Sequence, residues 1–251
     1  FETAPTSFHY LQVAAPLFLI ILTRLKVPVS TTFLLLSCYA ASGNSITAIA
    51  LKSISGYGIA FAAAIVIFFT LGPLMKRAFT GDTHPAWRFA QWITTGTLWS
   101  VWLQQDASNI AVSLPRAMSG VEFAAFASVI VVGLGFMFKK GGERIQEVVE
   151  EKSDVADVRS ATVIDLTYAV ILYVFKIQSK VPMSTTWVFM GLLAGREIAM
   201  AIRKSNSNGR GVKGALQLMA KDMLYVTAGF IVSLILAAVI NPSARMTMFG
   251  F

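Results

Sequence analysis

Long apolar runs constrain this chain more than any other feature of its 251 residues. A helix needs roughly 20 mainly apolar residues to cross a bilayer. Seven runs are near that length: 7–24, 29–50, 57–75, 120–138, 161–178, 183–203 and 221–240. Charged residues make up 14% of the chain and hydrophobic residues 55%, with a mean hydropathy of +0.66. This composition argues against a soluble enzyme and predicts an all-α, multi-pass integral membrane protein.

The stretch 86–117 is a further candidate of different character. It is apolar and Trp-rich up to Trp102, polar from Gln104 to Asn109, and then apolar again until Pro115. Backbone that is not helical is tolerated at membrane depth only inside protein or beside a cavity. We therefore predict a broken helix with its interruption in the polar segment. A re-entrant hairpin, which enters and leaves on one side, is the alternative.

The basic residues predict the orientation of the chain. If 86–117 crosses the membrane once, most of the 21 Lys and Arg residues fall on one side. Cytoplasmic loops collect Lys and Arg, so this side is predicted to be cytoplasmic and the protein to lie in the cell (inner) membrane. The longest polar insertion, 139–160, is on the same side and is expected to form a surface helix.

A heptapeptide occurs twice in the chain. Residues 26–32 read Lys-Val-Pro-Val-Ser-Thr-Thr, and 154 residues later 180–186 read Lys-Val-Pro-Met-Ser-Thr-Thr. An internal repeat in a membrane protein is typical of transporters. Five predicted crossings separate the apolar runs that precede the two copies, and an odd number inverts the second half relative to the first. We predict inverted repeats, with 1–78 as the C-terminal part of the first and 79–251, including 139–160, as the second.

Each copy places a proline and three hydroxyl side chains where a helix is predicted to begin. Proline costs nothing in the first turn, and the hydroxyls can cap the first amides or face a ligand. Helix N-termini are anion sites. Capping alone would explain one copy, but two copies with Lys before each favour a binding role. The candidate residues are Ser30, Thr31, Thr32, Ser184, Thr185 and Thr186.

Asp106 is the sharpest single candidate, because a carboxylate between apolar helical segments is costly unless it meets a cation, a proton or a polar cavity. Asn109, three residues later, reaches the same helix face, and both side chains offer oxygen ligands to a hard cation. Gln104 and Gln105 can donate amide hydrogens to a substrate oxygen. The alternative is an extracellular turn between two short helices.

Together these motifs resemble the PiT-type inorganic phosphate transporters, a family that includes some sulfate permeases. Its members carry Asn-Asp-x-x-Asn and Pro-Val-Ser-Thr-Thr signatures in each half, in that order. Residues 105–109, Gln-Asp-Ala-Ser-Asn, are similar to the first signature, whereas 28–32 and 182–186 are similar to the second. The repeat places the fourth motif about 50 residues before Phe1. Phe33 and Trp187 stand where the family commonly has His.

The resemblance implies cation-coupled import of a tetrahedral oxyanion, phosphate in the first place and sulfate in the second. It implies that the hydroxyls of both copies, together with Gln105 and Ser108, hold the anion. Asp106 and Asn109 would bind Na⁺, or Asp106 would carry the coupling proton. We expect no enzymatic activity, no cofactor beyond a coupling Na⁺, and no nucleic-acid partner. The expected partners are the anion and the lipid bilayer.

Some alternatives stay open at the level of the sequence. One is a transporter or channel for cations alone, in which the hydroxyls line a pore. Another is a membrane subunit without transport activity. Whether the chain forms a homodimer is also open.

Overall fold

The computed structural model describes residues 10–25, 27, 29–39, 43–110, 114–115, 117–140, 157–174, 184–203 and 211–250. Regular structure in these residues is helical throughout, which confirms the all-α fold. A 3₁₀ turn at Tyr10–Val13 is followed by α1 (Ala14–Arg24), α2 (Thr31–Tyr39), α3 (Gly43–Ala78), α4 (Ala86–Ile110), α5 (Gly120–Lys139), α6 (Val158–Leu172), α7 (Thr185–Ile202), α8 (Val212–Ile240) and α9 (Pro242–Phe249). The surface helix predicted within 139–160 lies outside the described residues from 141 to 156.

Four helices of the described part are long and apolar enough to cross a membrane: α3 over Ile46–Leu74, α5, α7 and α8. They match the third, fourth, sixth and seventh predicted runs, although α8 begins at Val212 instead of 221. The first, second and fifth runs form the shorter helices α1, α2 and α6 in their described parts. Helix length and composition therefore support a multi-pass membrane protein.

The prediction that 29–50 and 57–75 form two separate membrane segments is wrong. Helix α3 continues from Gly43 to Ala78, through the residues between the two runs. The hydroxyls of Ser53 and Ser55 each donate a hydrogen bond of 2.8 Å to the carbonyl four residues earlier. The serines are thus satisfied within the helix, which lets it pass through a polar segment. The run 29–50 is instead divided between α2 and the start of α3. The inverted relation of the two halves stays a prediction.

The interruption predicted between Gln104 and Asn109 is also wrong, because α4 is continuous from Ala86 to Ile110. Gln and Asp are tolerated in a helix, whereas Pro115 lacks the backbone donor and is the first strong breaker after them. The chain is not helical at Leu114 and Pro115, and the next helix begins at Gly120.

The closest helix contact joins α3 to α7, which is the central helix and is buried along nearly its whole length. Gly191 and Gly195 face α3 at a spacing of four residues. A Cβ atom at Gly191 would clash with the carbonyl oxygen of Tyr57, and one at Gly195 with the carbonyl oxygen of Phe61. The absent side chains let the two backbones touch, as is common between membrane helices.

The remaining helices pack around this pair. Helix α6 packs on α4, and α2 packs on α8. The buried residues of α8, among them Asp222, Val226, Gly229 and Ser233, recur at helical spacing and so form one face. Helix α5 buries none of its residues and lies at the periphery. This arrangement brings the starts of α2 and α7 together in the interior.

Candidate functional site

The second copy of the heptapeptide forms the N-terminal cap of α7. The Ser184 hydroxyl accepts a hydrogen bond from the backbone N–H of Trp187 at 3.1 Å, and the Ser184 carbonyl accepts one from Val188 at 3.2 Å. Such a cap satisfies amides that have no partner within the helix. Ser184 is completely buried.

The first copy forms the same cap on α2. The Ser30 hydroxyl accepts from the backbone N–H of Phe33 at 2.9 Å, and the Ser30 carbonyl accepts from Leu34 at 2.9 Å. Equivalent residues of the two copies therefore make equivalent hydrogen bonds. The sequence prediction that both copies begin helices is confirmed. Pro28 and Pro182 lie outside the described residues.

The two copies are in direct contact. The Thr186 hydroxyl of the second copy donates a hydrogen bond of 3.2 Å to the carbonyl oxygen of Val29 in the first. Matched elements of inverted repeats are expected to approach each other around a pseudo-two-fold axis near the membrane midplane, and this hydrogen bond shows the approach. Their position at the membrane midplane stays a prediction.

A single aromatic ring on α8 contacts the residue that follows each copy of the heptapeptide. The centroid of the Phe230 ring lies 4.4 Å from that of Phe33 and 5.7 Å from that of Trp187. Phe33 and Trp187 are equivalent in the repeat, since each follows the last Thr of its copy. The two equivalent aromatic residues thus pack on a shared neighbour.

Two further residues hold the second copy, and the sequence prediction missed both. The Ser53 hydroxyl on α3 accepts a hydrogen bond of 3.0 Å from the backbone N–H of Ser184. The Tyr168 hydroxyl on α6 donates one of 3.0 Å to the carbonyl of Thr185. The only signal for Ser53 in the sequence is a hydroxyl inside an apolar stretch, which is common in membrane helices.

The serine hydroxyls of both copies can still donate a hydrogen bond to a ligand. A serine that accepts an amide hydrogen keeps its own O–H as a donor, which an oxyanion can accept. However, Thr32 and Ser184 have no exposed surface, and Ser30 and Thr185 are at most 6% exposed. A solute reaches these groups only after the surrounding helices separate. This conformation is therefore closed around these four residues, whereas Thr31 and Thr186 are partly exposed.

The third motif lies at the end of α4. Gln105, Asp106, Ser108 and Asn109 belong to the last two turns of that helix, and their side chains are outside the described part. Helix α4 packs against α2, the helix that the first copy begins. The roles of Gln105, Asp106, Ser108 and Asn109 as ligands of an anion or of Na⁺ therefore stay predictions.

Comparisons of the chain with family models, with curated proteins and with solved structures find no match. The geometry of the molecule itself is that of a helical membrane protein in which two identically capped helix starts meet in the interior.

Proposed function

We propose that this chain belongs to a secondary active transporter that imports an inorganic oxyanion, phosphate or, in second place, sulfate, together with Na⁺ or H⁺. The observation that carries the proposal is the hydrogen bond of 3.2 Å between Thr186 and Val29, which brings the two copies of one motif together. Substrate sites of transporters with internal repeats lie where the repeats meet.

The chemistry of the paired motifs suits an anion. The N-terminus of a helix carries a partial positive charge, and its first amides point out of the helix. Here two such ends, those of α2 and α7, lie side by side. Hydroxyls from Ser30 and Ser184 add donors at the same place, so a tetrahedral oxyanion can receive hydrogen bonds from both halves.

A cation is required to balance the charge of the anion within the protein. The proposed ligands are Asp106 and Asn109, at the end of the helix that packs against α2. A cation bound there favours the anion electrostatically, and by linkage the anion favours the cation to the same extent. This reciprocity couples the two fluxes.

The closed packing around the motif corresponds to an occluded state in this proposal. Access from one side would follow when one half rocks against the other, as in other transporters built from repeats. The contact between α3 and α7 joins the two halves, so it would have to shift in this motion.

Uptake into liposomes tests this function. The purified full chain is reconstituted, and uptake of labelled phosphate or sulfate is measured with a Na⁺ gradient, a pH gradient or neither. Uptake of one anion that depends on one of the gradients is the expected result. Cation flux without anion uptake would show a cation transporter or channel instead. Absence of both fluxes would favour a subunit without transport activity.

A further inference from the structure

A polar network joins α4 to α6 away from the repeated motif. Oδ2 of Asp165 accepts hydrogen bonds from Nε2 of Gln91 at 2.7 Å and from the Thr95 hydroxyl at 2.6 Å. Oε1 of Gln91 accepts one of 2.7 Å from the Thr162 hydroxyl. The neutral side chains thus position one oxygen of the carboxylate firmly. An ionisable group within membrane helices is by default a candidate for function.

A cleft leads toward this network. It has a volume of about 610 Å³ and lies where α4 and α6 begin, lined by Thr83, Pro85, Arg88, Asp157 and Val158. Asp165 is two turns beyond Val158, or roughly 10 Å along the helix axis. The predicted orientation places the starts of both helices on the cytoplasmic side. The network meets the cleft at Val158, whose carbonyl accepts a hydrogen bond of 2.8 Å from the Thr162 hydroxyl.

No positive charge among the described residues neutralises Asp165, since both hydrogen bonds that it receives there come from neutral groups. The charged groups of the elements packed against α6 are engaged or placed elsewhere. On α4 and α6 they are Arg88 in the cleft and Arg159, which is paired with Asp157. On α7 they are Arg196 over the Phe68 ring and Glu197 on the side of α8, and on α3 they are Lys52, far along the helix, and Arg77 at its exposed end. The side chains of Asp106 on α4 and Lys76 on α3 lie outside the described part.

The geometry favours a proton over a metal cation as the ligand. Na⁺ needs several oxygen ligands, but the Thr95 oxygen already accepts a hydrogen bond of 2.9 Å from Nε2 of Gln91, and Oε1 of Gln91 already accepts one from Thr162. A proton needs one lone pair. Oδ1 of Asp165 accepts no hydrogen bond from the described residues, and Oδ2 can keep both of its donors whether the group is charged or neutral.

We propose that the coupling ion is a proton and that Asp165 is the site from which it leaves to the cytoplasm. The O–H bond at Oδ1 breaks, the proton passes to an adjacent water molecule and through further water molecules to the cleft, and the carboxylate stays hydrogen-bonded to Gln91 and Thr95. The reverse step reloads the site. This inference rests on the proposed transport function.

Proton flux tests the proposal. The full chain is reconstituted in liposomes that contain a pH-sensitive dye, and acidification is recorded after addition of phosphate or sulfate. Asp165→Asn should bind the anion with unchanged affinity but lose anion-driven acidification. The control Asp82→Asn removes an exposed carboxylate from the loop between α3 and α4 and should acidify like the wild type. Equal acidification in wild type and Asp165→Asn would overturn the role of Asp165.

A second measurement needs no transported solute. The infrared band of protonated carboxyl groups, followed in the purified protein from alkaline to acidic pH, should contain a component that titrates at higher pH in Thr95→Val, because one donor to the carboxylate is lost. Thr97→Val, which removes an exposed hydroxyl of the same helix, should leave that component in place. Indistinguishable titrations of both variants would refute the site even if Asp165→Asn does not fold.

The two measurements separate the failure of this inference from the failure of the proposed function. If the wild type binds neither phosphate nor sulfate, the oxyanion function is refuted, while the infrared titration still decides whether Asp165 exchanges a proton. Anion uptake that follows a Na⁺ gradient and ignores a pH gradient would keep the transport function and overturn the proton.

Discussion

The Thr186 hydroxyl donates a hydrogen bond to the carbonyl oxygen of Val29, although 157 residues separate the two along the chain. Each belongs to a copy of the same heptapeptide, so one copy satisfies a polar group of the other. The carbonyl oxygen of Val29 lies between two helix starts, and leaving it without its donor would lower the free energy of unfolding. Substitutions in one copy should therefore affect the packing of the other.

Replacing Thr186 by Val tests the contact between the copies. Valine keeps the shape of the side chain but removes the donor to Val29, so the free energy of unfolding should fall by about 1 kcal/mol. Unfolding by denaturant in detergent measures this change. Thr97→Val is the matched control, because the exposed Thr97 hydroxyl bonds only within its own helix. A loss as large in the control would argue against a special role for Thr186.

Ser184→Gly separates capping from substrate binding. Glycine caps a helix nearly as well as serine, with a cost of only a few tenths of a kcal/mol. If the hydroxyl also holds an anion, the affinity for phosphate or sulfate should drop about tenfold, which corresponds to roughly 1.4 kcal/mol. Calorimetric titration and a melting curve on the same preparation give both quantities. An unaltered affinity would leave Ser184 with capping alone.

Asp106→Asn tests the predicted coupling site at the end of α4. The substitution keeps the size of the side chain but removes the charge that a coupling cation needs, so anion uptake should collapse or lose its dependence on the gradient. Glu122→Gln is a suitable control, since glutamine can keep the hydrogen bond that Glu122 accepts from the backbone of Ser119. Full gradient-driven uptake by Asp106→Asn would exclude it as the coupling residue.

Gly195→Ala should destabilise the protein, because the added methyl group would clash with the Phe61 carbonyl and lie 2.8 Å from Cβ of Ala64. Overpacking of this kind costs about 1–3 kcal/mol. Gly72→Ala in α3 meets no atom within 4 Å and should be neutral or slightly stabilising. Melting temperatures of both variants in one detergent provide the comparison, and equal values would contradict the close backbone contact.

The pKa of Asp157 determines how the stability of the start of α6 depends on pH. Hydrogen bonds from the Arg159 side chain lower the pKa of the Asp157 carboxyl below its ordinary value. A lowered pKa stabilises the folded state above about pH 3.9, the pKa of a free aspartate, and this stabilisation is lost as the pH falls through the lowered pKa. Asp157→Asn should therefore melt at a lower temperature at neutral pH, and its curve should converge with the wild type in acid. Parallel curves would show that the pair adds nothing.

The apolar runs predict the membrane helices well because chain length and hydropathy alone decide whether a segment can span a bilayer. The boundaries depend on local hydrogen bonds that composition does not reveal. Ser53 and Ser55 resemble the residues of a turn, yet in α3 their hydroxyls bond to preceding carbonyls and the helix continues. Likewise the polar residues near Asp106 suggest an interruption that the backbone of α4 does not contain.

The sequence predicts those parts of the candidate site that belong to the repeated heptapeptide. The duplication predicts that Ser30 and Ser184 play equivalent parts, and their hydrogen bonds to Phe33 and Trp187 agree. The neighbours of the site are not repeated and depend on how distant helices meet. Ser53 is one such neighbour, since its contact with Ser184 joins residues 131 positions apart.

The ring of Phe230 lies against both Phe33 and Trp187, so the three side chains share one fixed volume in the interior. A larger side chain at one position leaves less room at the other two. Relatives of this chain should consequently vary in a compensating way at these positions. A larger side chain at 33 or 187 would be accompanied by a smaller one at 230, so the size of the residue at 230 on α8 reflects the sizes of the two residues that follow the copies of the repeat.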